Sequence, residues 1–254
     1  MEFLTKFPVM ARTSLMELRK GIDHTFREFS RAYGDGIEAF FDPLLYFLVW
    51  LEKLMMNSPW PIIIGIICGL AWMASKSWKL VLGAAISFFL IGYFGMWKDC
   101  MATVAIITVC VIICMTIGIP MGVIMARSNR AERTILPVLD MMQTIPSFVY
   151  LIPILMLLGI GKVPGLIAIC IYAVPPIIRL TNLGIREVDK ETIEASEAFG
   201  ATKLQKLRTV QIPLALPTVF AGVNQTIMMA LAIIFDRAAQ EYGRRIQKHR
   251  GIKR

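Results

Sequence analysis

The chain alternates long uncharged stretches with short charged hinges. Runs with few or no charges fall at about 59–74, 80–97, 100–126, 135–158, 163–178 and 212–235, each near the roughly twenty apolar residues that a helix needs to cross hydrocarbon. So many such runs in one short chain predict membrane-crossing helices, six of them, rather than buried helices of a soluble domain. Residues 1–58 are polar and mixed in charge and carry no short apolar core, so this tail is expected to be mature protein rather than a cleaved leader. Within it, Asp42 to Met56 (DPLLYFLVWLEKLMM) is apolar but interrupted by a charged pair and too short to span. Two readings fit it: a helix lying at the membrane interface, or an amphipathic helix packed on protein.

Composition strengthens the membrane assignment, since 56% of residues are hydrophobic against about 45–50% in soluble domains. The formal charge of +9 does not point to nucleic acid, because the basic residues form no aromatic-studded face and no recognition motif is present. They follow membrane orientation instead, since Lys and Arg accumulate in cytoplasmic loops. Lys76 and Lys79 follow the first segment, Arg127, Arg130 and Arg133 the third, and Arg179, Arg186, Lys190, Lys203, Lys206 and Arg208 the fifth. Only Lys98 and Lys162 follow the second and fourth. This places the odd loops in the cytoplasm and the N-terminal tail outside. Six crossings would then leave the C-terminus outside as well, yet 236–254 is strongly basic and belongs inside by the same rule. Either the last segment is not a full crossing or one crossing is missing.

The longest polar segment between spans, Arg179 to Gln211, reads as two short helices. Asp189 can cap the first through the free amides of its opening turn, and Gly200 can supply the left-handed residue that ends it. Thr202 with Gln205 three residues on forms a capping-box pattern for the second, and Pro213 is expected to stop it. Ala195, Ser196, Ala198 and Gly200 make the bend thin enough for another protein to approach closely, although a plain hairpin would carry the same caps.

The spacing Glu194-Ala195-Ser196, three residues, Gly200, nine residues, Val210-x-Ile212-Pro213 resembles the E-A-A loop of ATP-binding-cassette importer permeases, with Ser, Val and Ile standing for the usual Ala, Ile and Leu. The resemblance extends through Gln143 to Gly165, Tyr172 to Asp189 and Pro213 to Leu231, and is to the glycine betaine and proline branch of that family. It covers roughly Pro59 to Leu231 and resumes in the final AIIFDR. It implies a type I importer helical bundle, all-α, with an extracytoplasmic tail at 1–58, a transmembrane domain at 59–235 holding the coupling loop at 187–213, and a basic cytoplasmic tail at 236–254. It further implies two copies of a separate ATPase subunit, an extracytoplasmic substrate-binding protein and a second permease copy as partners, in a bacterial inner membrane. No cofactor is expected on this chain. No G-x-x-x-x-G-K-[ST] loop occurs, so ATP and its magnesium belong to the partner ATPase. Relatives continue after NQTIMMAL with more of that helix, a glycine-rich loop and a further span. Here the two ends join as MMALAIIFDR, an apparent internal deletion that would fuse two crossings into one and account for the misplaced C-terminus.

Polar groups inside apolar spans are costly, so each needs a partner or a purpose. Asp140 is expected to pair with Arg133 or with another chain's base. Gln143, Asn224 and Gln225 could line an aqueous path or bond helix to helix. Pro146, Pro153, Pro175 and Pro176 should kink their helices. Phe148, Tyr150 and Tyr172 could offer aromatic faces to a quaternary ammonium ion, or be core residues. Gln143, Pro146, Phe148, Tyr172, Asn224 and Gln225 are therefore the candidate translocation path. The five cysteines contain no C-x-x-C pair and no neighbouring histidine, and read as packing residues rather than a metal site.

Three other classes compete. An intramembrane enzyme lacks its G-x-S-x-G or H-E-x-x-H, and a channel or secondary transporter leaves the E-A-S loop unexplained. A truncated permease that inserts and assembles without transporting is the main alternative.

Overall fold

The computed structural model describes residues 12–158 and 161–251 and is helical throughout its regular structure. Helix α1 (Arg12–Asn57) meets α2 (Trp60–Ser75) at Ser58–Pro59, where the chain bends by 106°. Pro59 donates no amide to α1 and its fixed φ opens α2. Of the two readings for the apolar end of α1, packing on protein describes one face: Leu48 is fully buried, with Leu44 and Leu51 beside it in the main core. The opposite face leaves Tyr46, Trp50 and Leu54 exposed.

Helices α2 and α3 (Trp78–Tyr93) form a hairpin turned by Lys76, whose φ of 48° is left-handed. Each has 16 residues and none is fully buried: one face of each is half-buried, as at Ile64, Ile67, Val81 and Phe88, and the other is exposed. The run expected at 80–97 ends early. Gly95, at φ 75°, reverses the chain, its amide reaching Gly92 O at 3.0 Å and that of Met96 reaching Ile91 O at 3.1 Å. Helix α4 (Trp97–Arg127) starts there and is long enough to span.

The segment expected as one helix over 135–158 is broken in two, α5 (Asn129–Thr144) and α6 (Ser147–Leu158). Pro146 drives Ile145 into extended backbone, φ −76° and ψ 128°, as a following proline does to its predecessor. Helix α7 (Lys162–Arg186) reaches eight residues beyond the expected end at 178. Those residues hold Arg179, Asn182 and Arg186, which stay helical because neighbouring helices supply their partners. Among the described residues three helices, α4, α7 and Lys203–Phe235, are long and apolar enough to cross a membrane alone, four if the bent α1–α2 pair counts as one span, against the six crossings expected.

The bundle is organised on α7, whose apolar window is 56% buried against 28% for α4 and 28% for the last span. Cys114 meets Cys170, a β-carbon on Gly118 would meet Ile177, one on Gly122 would meet Thr181, and Met125 meets Arg186. Those positions advance together, so α4 and α7 run parallel. The pairs Gly184–Thr218 and Gly222–Ile177 run in opposite senses, so α10 (Ile212–Gly251) is antiparallel to α7. The glycines permit this contact. A β-carbon on Gly122 would lie 2.5 Å from Thr181 Cβ and 2.8 Å from the Ile178 carbonyl oxygen, and small residues four apart are what let helix backbones approach in a membrane.

Candidate functional site: a helical knuckle at one end of the bundle

Parallel α4 and α7 bring their C-terminal ends, and with them Arg127, Arg130 and Arg186, to the same end of the bundle. There the chain leaves α7 through Glu187 and builds the knuckle. Asp189 caps α8 (Lys190–Ala198), accepting from the Glu191 amide at 3.2 Å. Gly200 ends it at φ +77°, a conformation that favours glycine, and its amide bonds Glu197 O at 2.9 Å. Thr202 caps the single turn α9 (Lys203–Gln205). The Gln205 amide donates to Thr202 Oγ1 at 3.4 Å and the Thr202 amide to Gln205 Oε1 at 2.9 Å, a complete capping box. Lys206 and Glu197 pair across the bend.

Pro213 does not stop the second helix. The chain passes through a π-helical turn, Lys206–Gln211, straight into α10, with Pro213 in its first turn. Widening the ladder to i→i+5 admits a residue that cannot donate. A separate apolar cluster beneath the knuckle anchors it: Ile185, Leu207, Ala215 and Val219 are buried, with Ile212, Ile119, Val123 and Ala126 packed on them.

The E-A-S pattern therefore divides into two structural parts. Val210 is half-buried, and Ile212 packs on the anchor cluster, whereas Pro213 is exposed. Glu194, Ala195 and Gly200 are exposed, and Ser196 bonds Ile193 O at 2.7 Å. No residue of α8 is buried. At the tip stands Phe199, 93% exposed, which sequence reasoning passed over. An aromatic flanked by Ala198 and Gly200 in a polar loop was the available signal.

Beside the knuckle, Asp140 takes a different partner from the expected one. It pairs with Arg179 of α7, not with Arg133, an exposed residue two turns away on its own helix; antiparallel packing of α5 on α7 offers a closer base. A second cluster was not anticipated. Arg186 reaches Glu132 Oε2 at 3.0 Å, Asn182 Oδ1 at 3.0 Å, Asn129 Oδ1 at 3.0 Å and Met125 O at 2.9 Å, and Asn182 donates to Glu132 Oε1 at 2.9 Å. It ties the last turn of α7, where the knuckle begins, to α4 and α5.

The candidate path residues are spread over α5, the break before α6, α7 and α10. Tyr172 packs against the main core, Gln143 is half-buried near the α5–α6 break, Pro146 is exposed at that break, and Asn224 and Gln225 are exposed on α10. The side chain of Phe148 lies outside the described residues. Far from the knuckle, Cys110, Cys114 and Cys170 converge where α4 crosses α7.

Residues 118–235, from the glycine contact of α4 through the knuckle to the last span, match the family described as binding-protein-dependent transport system inner membrane component. The glycine betaine transport system permease protein OpuAB of Bacillus subtilis is 39% identical over 213 residues, covering 84% of this chain and 73% of the relative. The chain belongs to this family. The glycine betaine/proline betaine transport system permease protein ProW of Escherichia coli is 43% identical over 215 residues, 85% of this chain and 59% of the relative. The glycine betaine/carnitine transport permease protein GbuB of Listeria monocytogenes is 44% identical over 187 residues, 73% of this chain and 66% of the relative. The chain thus spans 59% and 66% of the length of these last two relatives. Membership makes it a multi-pass inner-membrane component, with which its long apolar helices agree.

Proposed function

We propose that this chain is the membrane-spanning subunit of an ATP-driven, binding-protein-dependent importer for glycine betaine, proline or similar compatible solutes. The observation that carries the proposal is the knuckle: an exposed, doubly capped bend bearing the E-A-S-x3-G pattern, rooted by its own apolar cluster in the two helices that pack on each other most extensively, α7 and α10. A lever needs a tip free to be gripped and a root that cannot move alone, and both are present. Two ATPase subunits hold ATP and magnesium and grip Phe199 and the small residues beside it. An extracytoplasmic binding protein delivers substrate, and a second permease copy covers the exposed face of α10. The knuckle faces the cytoplasm and residues 1–58 the exterior, by the distribution of Lys and Arg. Gln143, Pro146, Phe148, Tyr172, Asn224 and Gln225 line the transit path in the assembled pair, and the printed substrates of the relatives support the solute class.

Uptake of labelled glycine betaine by cells lacking other carriers, with and without the ATPase, tests the reading. Uptake that persists without the ATPase overturns it. A transport-deficient permease is the second reading, favoured by α10, which runs unbroken through MMALAIIFDR. It predicts capture of the ATPase with no uptake under any condition.

A further inference from the structure

We propose that Cys110, Cys114 and Cys170 form a three-thiol site for a trivalent thiophilic metalloid, arsenic(III) being the probe, which on binding ties α4 to α7. Cys110 and Cys114 stand one turn apart on the same face of α4, both fully buried, with their sulfurs 3.9 Å apart. Cys170 comes from the facing helix, and Cys114 Sγ lies 3.7 Å from its carbonyl oxygen. All three sulfurs lie within 4.8 Å of one another. A centre about 2.3 Å from each sulfur, the thiolate–zinc distance, needs sulfur pairs roughly 3.3–4.0 Å apart for bond angles of about 90–120°. The site therefore closes on an ion with movements below about an ångström, within the reach of a χ1 adjustment.

Charge selects the ion. The thiols share an apolar cluster with Leu166, Ile169 and Ala173, in the part of α4 and α7 that spans. A net charge at such depth costs about 2.5–3.5 kcal/mol or more. Three thiolates leave zinc(II) with one negative charge and copper(I) with two, whereas a trivalent centre is neutral. Arsenous acid is itself uncharged, so it can enter through lipid. Binding exchanges ligands without redox change: three As–O bonds break, three As–S bonds form, and each thiol proton leaves with a hydroxide as water. Cys68, against Val81 O, and Cys100, in the first turn of α4, stand outside the cluster.

The test uses the full chain in lipid nanodiscs, treated with arsenite, alkylated with N-ethylmaleimide and weighed intact. Five free thiols should fall to two, with one arsenic retained, and the arsenic absorption edge should report three sulfur neighbours and no oxygen. Cys170→Ala should lose the retained arsenic, and the double variant Cys68→Ser/Cys100→Ser should keep it. Five alkylated thiols in the treated wild type, or two sulfurs and one oxygen around arsenic, overturn the site without recourse to any variant. Protection of the same thiols by zinc(II) at equal concentration overturns the choice of a trivalent centre. None of these readouts depends on transport, so the site and the importer reading stand or fall separately.

Discussion

Replacing Gly122 by alanine isolates what holds α4 against α7. The added methyl carbon would sit 2.5 Å from Thr181 Cβ and 2.8 Å from the Ile178 carbonyl oxygen, whereas carbon atoms rest about 3.5–4.0 Å apart. Backbone cannot step aside as the end of a side chain can, so the helices must part by about 1 Å, and a gap of that order forfeits a quarter to a half of each contact's attraction. Overpacking of this kind costs about 1–3 kcal/mol. Alanine also raises helix propensity by up to about 1 kcal/mol, which blurs the single measurement. Gly65→Ala removes the blur, because a methyl group there meets nothing within 4 Å, and the propensity gain common to both cancels in the difference. We expect Gly122→Ala to be less stable than Gly65→Ala by about 1–3 kcal/mol, measured by unfolding in mixed micelles. Midpoints shifted alike in the two variants would refute close backbone contact as the basis of the parallel pair.

Phe199→Ala should change chain stability by no more than about 0.5 kcal/mol, because an exposed ring loses no packing, while weakening ATPase capture roughly 30-fold, as for an interface anchor worth about 2 kcal/mol; unchanged capture removes Phe199 from the interface. Gly200→Asp should abolish capture with insertion intact, since an L residue at φ +77° strains the bend by about 1–2 kcal/mol; normal binding would count against the docking surface. Glu132→Gln should cost about 1.5–3 kcal/mol, because it weakens charge-assisted bonds to Arg186 and Asn182 that are mostly shielded, whereas Asp140→Asn, at an exposed pair, should cost no more than about 1 kcal/mol; reversal of that order in an unfolding assay would mean the two pairs have been ranked wrongly. Thr202→Ala should cost about 1 kcal/mol through loss of the cap and raise amide exchange across α9, and unaltered exchange would leave the capping box without a stabilising role.

The knuckle was legible because its signals are local. Asp189, Gly200, Thr202 and Gln205 act on amides within three residues of themselves, and each does what its chemistry requires. Pro213 misled for the same reason: a proline reads locally as a stop, but the π-helical turn before it absorbs the missing donor. The break at Ile145–Pro146 carried a visible signal, yet hydropathy averaged across it.

The length of the uncharged runs and the capping residues were enough to indicate a membrane helix bundle and a capped bend, since burial in lipid and hydrogen bonding within a turn depend on residues close together in the chain. The partners of Asp140, Arg186 and Cys170 lie 39, 54 and 56 positions away. Those meetings follow from which helices run parallel and how near they come. That is settled by the fit of Gly118 and Gly122 against Ile177, Ile178 and Thr181, a matter of shape in three dimensions that no reading along one dimension contains.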